Sequence, residues 1–216
     1  MRVAVICESS VDEEIIRALI DAILGDSTSR VLPRYQVKGW PHVITDLPNL
    51  LPGILLDPTI DALSIIADSN GSAPPGSGRE SPESKPSKAD RMRRLVETVE
   101  GILKVESGRA SVRPLRIAIG IAVPAIEAWC LPDDETVSES SWLSFLETNP
   151  EPFAVSARTR ELKRRVYGKV HGNVETRTPQ AIKLAARIAK RVDTLERKFP
   201  GGFGPFARAI RAWRTS

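Results

Sequence analysis

The sequence predicts an α/β fold, a mainly parallel four-stranded sheet flanked by helices, followed by a basic helical region. Three observations predict it. Apolar runs rich in β-branched residues, at 2–7, 59–67 and 113–123, have the composition of strands buried on both faces. Amphipathic helical spacing fills the intervals between them. From residue 132 onward no convincing strand remains.

The first run stops abruptly at Glu8. Ser9 and Ser10 follow, and Ile15, Ile16, Leu19, Ile20 and Ile23 then recur at three- and four-residue spacings, so the chain opens as strand, tight loop and helix. Residues 31–40 predict a shorter second strand that ends before Pro41. Residues 42–56 have a helical pattern, but Pro48 and Pro52 predict an irregular connection. The third strand, 59–67, ends in Asp68, Ser69 and Asn70. Residues 71–88 are rich in Ser, Pro, Gly and charge, with a single Ala among their apolar types, and predict a flexible insert. Met92, Leu95, Val96, Val99, Ile102 and Leu103 form one face of a crossover helix that leads to the fourth strand at 113–123. Pro124 predicts the first turn of a short helix over 124–131.

In the remainder, 133–147 predicts an acidic surface helix, 158–166 and 180–195 predict basic amphipathic helices, and 205–213 a last short helix after Gly201-Gly202-Phe203-Gly204. Phe203 and Trp213 read as core anchors. The organisation expected is an α/β domain over 1–131, carrying the insert, with a basic helical region over 132–216 packed on it.

Composition bounds the function. With 41% apolar and 27% charged residues the chain can build a core, which excludes wholesale disorder. No apolar run reaches transmembrane length, and Glu8 interrupts the place where a signal peptide would need its apolar core, so a cytoplasmic protein without membrane partners is expected. Cys7, Cys130, His42 and His171 are isolated from one another, which gives no support to a zinc site or a catalytic triad built on them; the cysteines read as buried reduced thiols. The net charge of +4 conceals a division: residues 1–152 hold 15 basic and 23 acidic residues, and residues 153–216 hold 16 and 4. A polyanion would land on the second part, at Arg164, Arg165 and Lys169; the same cations would also serve as solvated helix faces that offset the acidic part.

Three acids stand just beyond the carboxyl ends of buried strands: Glu8, Asp68 and Glu127. In a parallel sheet those ends share one edge, so residues far apart in sequence converge there. Glu8 and Asp68, with Asn70 as a neutral oxygen donor, are candidate ligands for Mg²⁺ or Mn²⁺, and Glu127 is a candidate general base or outer ligand. Helix caps and ion pairs are the other uses of acids at such positions.

The order of these motifs resembles the Toprim domain, and more narrowly the short Toprim-related, OLD-nuclease-like proteins encoded beside ATPases in phage-defence loci. The residues that carry the resemblance are Glu8-Ser-Ser-Val-Asp12-Glu13, Asp68-Ser-Asn70 and Glu127-Ala-Trp129, and more loosely Tyr167-Gly-Lys169 and Phe203-Gly-Pro-Phe206. The chain departs from the family pattern at Ser9 in place of Gly, Val11 in place of Ser or Thr, and Asn70 in place of the second Asp of the third-strand motif. The last change removes one formal charge from the expected metal site. The resemblance implies a Toprim/Rossmann-like fold and a metal-dependent nuclease or nucleic-acid-processing protein, with Glu8, Asp68 and Glu127 catalytic and an ATPase as partner. The competing expectation is a non-catalytic binding module serving that ATPase.

Overall fold

The computed structural model describes residues 1–31, 35–37, 39–72, 91–108, 114–149, 151–168 and 174–214. The insert expected over 71–88 lies outside the described residues from 73 onward.

The first strand, β1 (Arg2–Cys7), is buried from Val3 to Cys7, as its unbroken apolar run requires. Ser9 ends the loop after it by capping α1 (Ser10–Leu24), its hydroxyl accepting the Asp12 N–H at 3.2 Å. Gly25, at φ 65°, closes the helix in the left-handed conformation that glycine adopts without strain. The single second strand expected over 31–40 is instead two short strands, β2 (Ser29–Arg30) and β3 (Tyr35–Gln36), both parallel to β1 on the same side. Next come α2 (Trp40–Leu56), β4 (Ala62–Asp68), α3 (Arg91–Glu106) and β5 (Arg116–Ala122). The sheet therefore has five strands rather than four, in the order β2-β1-β4-β5 with β3 beside β1, and every pairing is parallel.

The irregular connection expected at 42–56 is overturned, because α2 runs unbroken through Pro48 and Pro52. Each proline costs a helix about 3 kcal/mol. Val43, Leu47, Leu51, Ile54 and Leu55 outweigh that cost by burying one stripe of the helix in the core, while Pro48 is exposed on the other side.

After β5 the chain forms α4 (Ile126–Trp129), α5 (Glu139–Thr148), α6 (Pro152–Tyr167), α7 (Val174–Ile188), a 3₁₀ turn (Ala189–Arg191), α8 (Val192–Lys198) and α9 (Phe203–Ala212). Pro124 is not in the first turn of α4: the Val123–Pro124 bond is cis, and Ala125, in extended conformation, is the residue before the helix. The acidic helix expected from 133 starts only at Glu139, because Ser138 and Ser141 form a reciprocal cap there.

Helices α1 and α9 cover one face of the sheet, with α7 packed on α1, and α2 with α3 cover the other. The C-terminal helices contribute side chains to the core. Phe199, Phe203, Phe206, Ile210 and Trp213 join the strand residues in one continuous apolar cluster, so Phe203 and Trp213 are core anchors as expected. Two glycines permit that packing. A Cβ at Gly120 of β5 would lie 2.7 Å from Ile66 Cδ1 and 3.1 Å from Phe206 Cβ, and one at Gly202 would lie 2.0 Å from the Ile121 carbonyl oxygen. Among the described residues no helix is long and apolar enough to cross a membrane.

Candidate carboxylate site at the edge of the sheet

The strand order creates a crevice. From β1 the chain moves outward through α1 to β2 and β3, then returns past β1 to β4 and on to β5, so the connections leaving β1 and β4 diverge onto opposite faces. Ligands of open α/β sheets collect at such switch points, beyond the carboxyl ends of the strands. Glu8 follows β1 and Asp68 ends β4, one on each side of the crevice. The register aligns Ile6 with Ile65 and Asp68 with Ala122, which sets the two acids at nearly one level.

A cavity of about 230 Å³ lies there, lined by Glu8, Ser9, Val11, Asp12, Asp68, Glu127, Lys163 and Tyr167. Each polar residue is held by its own element. Glu8 Oε1 accepts the Asp68 N–H at 3.4 Å, joining the two strand ends. Asp68 Oδ1 accepts the Ile126 N–H at 3.0 Å, which ties the start of α4 to β4 and brings Glu127 to the cavity. The Asp68 carbonyl accepts from Arg91 Nη1 at 2.5 Å, and the Arg91 guanidinium lies 5.0 Å from the centre of the Trp40 ring. Glu127 is only 4% exposed, and its Oε1 lies 3.9 Å from Lys163 Nζ. Trp129 anchors the short helix: it is fully buried, edge-on to Phe203 at 5.0 Å and stacked on Phe206 at 6.2 Å.

The charges in this cavity perturb one another. Burial, then the facing Glu127 and Glu8 carboxylates, push Asp12 up to about 7 against the pull of the Ser9 hydroxyl and Lys163. Asp68 rises well above the ordinary carboxylate range, first from burial and then from Glu8, Glu127 and Asp12. Burial also raises Glu8, while the Asp68 N–H, Lys163 and Arg91 pull it back. Lys163 is raised chiefly by Glu127. Cys7 and Cys130 are buried thiols pushed up by desolvation, which leaves them poor nucleophiles.

Of the residues singled out from sequence, Glu8, Asp68 and Glu127 are brought together. Asn70 is not: it does not line the cavity, and it turns the chain at φ 48° while its N–H donates to the Pro124 carbonyl at 2.7 Å. Left-handed backbone suits Asn better than most residues. Arg164 pairs with Glu161 at 2.7 Å and Arg165 with Asp134, and neither lines the cavity. Lys169 lies outside the described residues. Sequence reasoning passed over Asp12 and Lys163. Asp12 stood in the first motif, four residues after Glu8, and that spacing was the available signal; nothing local distinguished Lys163 from its neighbours.

The donor set consists of carboxylate oxygens, which suit Mg²⁺ or Mn²⁺ rather than zinc. Among the described residues no three His, Cys or acidic side chains are grouped so as to hold a metal ion by themselves. Two carboxylates with waters are an ordinary magnesium shell, and Glu8 with Asp68 form such a pair. Asp68 owes part of its raised proton affinity to the facing Glu8, Glu127 and Asp12, negative charge that a cation would neutralise.

No family model, curated protein or solved structure matches the chain. The class that fold and site define is thus a parallel α/β protein with a carboxylate-lined switch-point cavity. The Toprim resemblance rests on the sequence motifs alone.

Proposed function

We propose that this chain is a Toprim-like nuclease or nucleic-acid-processing protein that uses Mg²⁺ or Mn²⁺. The observation that carries the reading is the convergence of Glu8, Asp12, Asp68 and Glu127, from the ends of β1 and β4, the start of α1 and the short helix α4, on one cavity that also holds Lys163. In this reading Glu8 and Asp68 hold the ion, with Asp12 beside them. When bound, the ion would polarise a phosphoryl group and orient the attacking water. Glu127 would accept the proton of the attacking water, and Lys163, 3.9 Å from it, would steady phosphate charge. An ATPase partner and a role in phage defence are carried by the resemblance only.

The test is incubation with plasmid and single-stranded substrates in Mg²⁺, in Mn²⁺ and in EDTA. Cleavage should need the cation and fall at least ~100-fold in Glu8→Gln and Asp68→Asn, as expected when charge stabilisation at the reacting centre is lost. Equal activity in wild type and Glu8→Gln would assign it to a contaminant. One observation favours the second reading, a non-catalytic binding module: Asn70 stands outside the cavity, so the third-strand motif supplies one acid where the family pattern has two. Mn²⁺ binding without cleavage of any substrate would select that reading.

A further inference from the structure

The cations of the C-terminal helices are used in two different ways. On α6, Arg158 lies over the Phe145 ring at 5.9 Å, Lys163 faces Glu127 at 3.9 Å, Arg164 pairs with Glu161 at 2.7 Å, and Arg165 pairs with Asp134. A phosphate would have to displace an internal partner to reach these four; Arg160 on α6 and Arg208 on α9 are exposed without an ion-pair partner among the described residues, but each stands alone on its helix. On α7 and the turn after it, Lys183, Arg187 and Lys190 are exposed, and among the described residues none of the three has an ion-pair partner. Lys183 and Arg187, four residues apart, share one face of α7, and Lys190 follows them in the 3₁₀ turn. That face is turned away from Ala185 and Ile188, which are buried. No Asp or Glu occurs from residue 179 to 192.

We infer that the stripe Lys183, Arg187 and Lys190 is the surface on which a nucleic-acid backbone docks, in place of α6. The inference rests on the nucleic-acid reading above. At a rise of 1.5 Å per residue the stripe is about 10 Å long, enough to follow a short stretch of phosphate backbone. It also leads toward the site: the next residue, Arg191, pairs at 3.4 Å with Asp133, in the segment that follows α4 and Glu127. A membrane fits less well, because Ile182 is the one large apolar side chain exposed on α7 among the described residues, and a helix lying in a lipid interface needs an apolar face.

The test is fluorescence anisotropy of labelled duplex and single-stranded DNA with the full chain in EDTA, where turnover is excluded. Lys183→Gln/Arg187→Gln/Lys190→Gln should lose at least ~10-fold in affinity at low salt. Its log–log salt slope on duplex should shrink by about 2.7, at about 0.9 per contact. Arg164→Gln/Arg165→Gln should keep nearly wild-type binding. If thermal melts show the triple variant to be destabilised, Arg187→Gln alone is measured, with an expected slope change of about 0.9. Wild-type binding that survives the triple substitution, or that is lost in the α6 pair instead, overturns the inference and leaves the nuclease reading standing. Wild type that binds neither DNA at low salt and cleaves nothing in Mn²⁺ fails both. Binding to phosphatidylserine vesicles without binding to DNA overturns the inference in favour of a lipid surface.

Discussion

Two groups of buried acid in this protein are treated in opposite ways. Glu139, 5% exposed, has its carboxylate met by two backbone amides, Gly201 N–H at 2.9 Å and Gly202 N–H at 2.6 Å. Burial raises its proton affinity and the two amides lower it. Glu8, Asp12, Asp68 and Glu127 instead face one another across a cavity, and each raised acid among them except Glu8 owes part of its shift to a neighbouring carboxylate. An acid surrounded by donors holds a fold together. Acids turned toward one another oppose folding until something positive enters. The first arrangement is complete within the protein; in the second Lys163, 3.9 Å from Glu127, offsets part of the charge, and the proposed cation would offset more.

The contrast makes predictions of opposite sign. Glu139→Ala should destabilise the protein most, by about 3 kcal/mol, because it removes a charge-assisted contact and leaves two buried amides without an acceptor. Urea unfolding measures this, and a loss below the range of an ordinary surface substitution would show the clamp to be idle. Mn²⁺ at about a hundredfold excess over its dissociation constant should stabilise the wild type by about 2.7 kcal/mol, and should do little for Glu8→Gln/Asp68→Asn. Equal stabilisation of both would place the ion elsewhere.

A smaller effect concerns pH. Asp12 in the folded protein titrates near 7, above its ordinary value, so its contribution to stability is complete below about pH 4 and is lost as pH rises through about 7. Without divalent cation the protein should therefore weaken between about pH 6 and about pH 8, by on the order of 1 kcal/mol from this group. Asp12→Asn should flatten that part of the profile. A metal-free profile that rises over this range would break the comparison.

Much of the fold was legible because buried parallel strands leave an unmistakable trace. β1, β4 and β5 are unbroken apolar runs, and the acids at the carboxyl edge lie where those runs stop. What failed to show had specific physical causes. The continuity of α2 is decided by a buried stripe formed with the sheet, a tertiary term that outweighs the local penalty of Pro48 and Pro52. β2 and β3 are two residues each, too short to carry a pattern. Asn70 occupies a ligand's place in the motif, yet its backbone is used to turn the chain. Lys163, Arg164 and Arg165 are neighbours in one basic run, and successive residues point about 100° apart around a helix. Which of the three enters the cavity depends on how α6 is set against α4, and no local spacing encodes that.

The approach of Gly202 to β5 has a consequence for genetics. Its α-carbon leaves no room for a methyl group, since a Cβ would fall 2.0 Å from the Ile121 carbonyl oxygen and 3.1 Å from Glu139 Oε1. Ala122, the next residue in β5, is level with Asp68, and its carbonyl accepts the Ser69 N–H at 2.8 Å. A side chain at 202 would thus push on the end of the strand that carries the carboxylate edge. In a screen of random substitutions, position 202 should score with the acids of the cavity although it touches none of them.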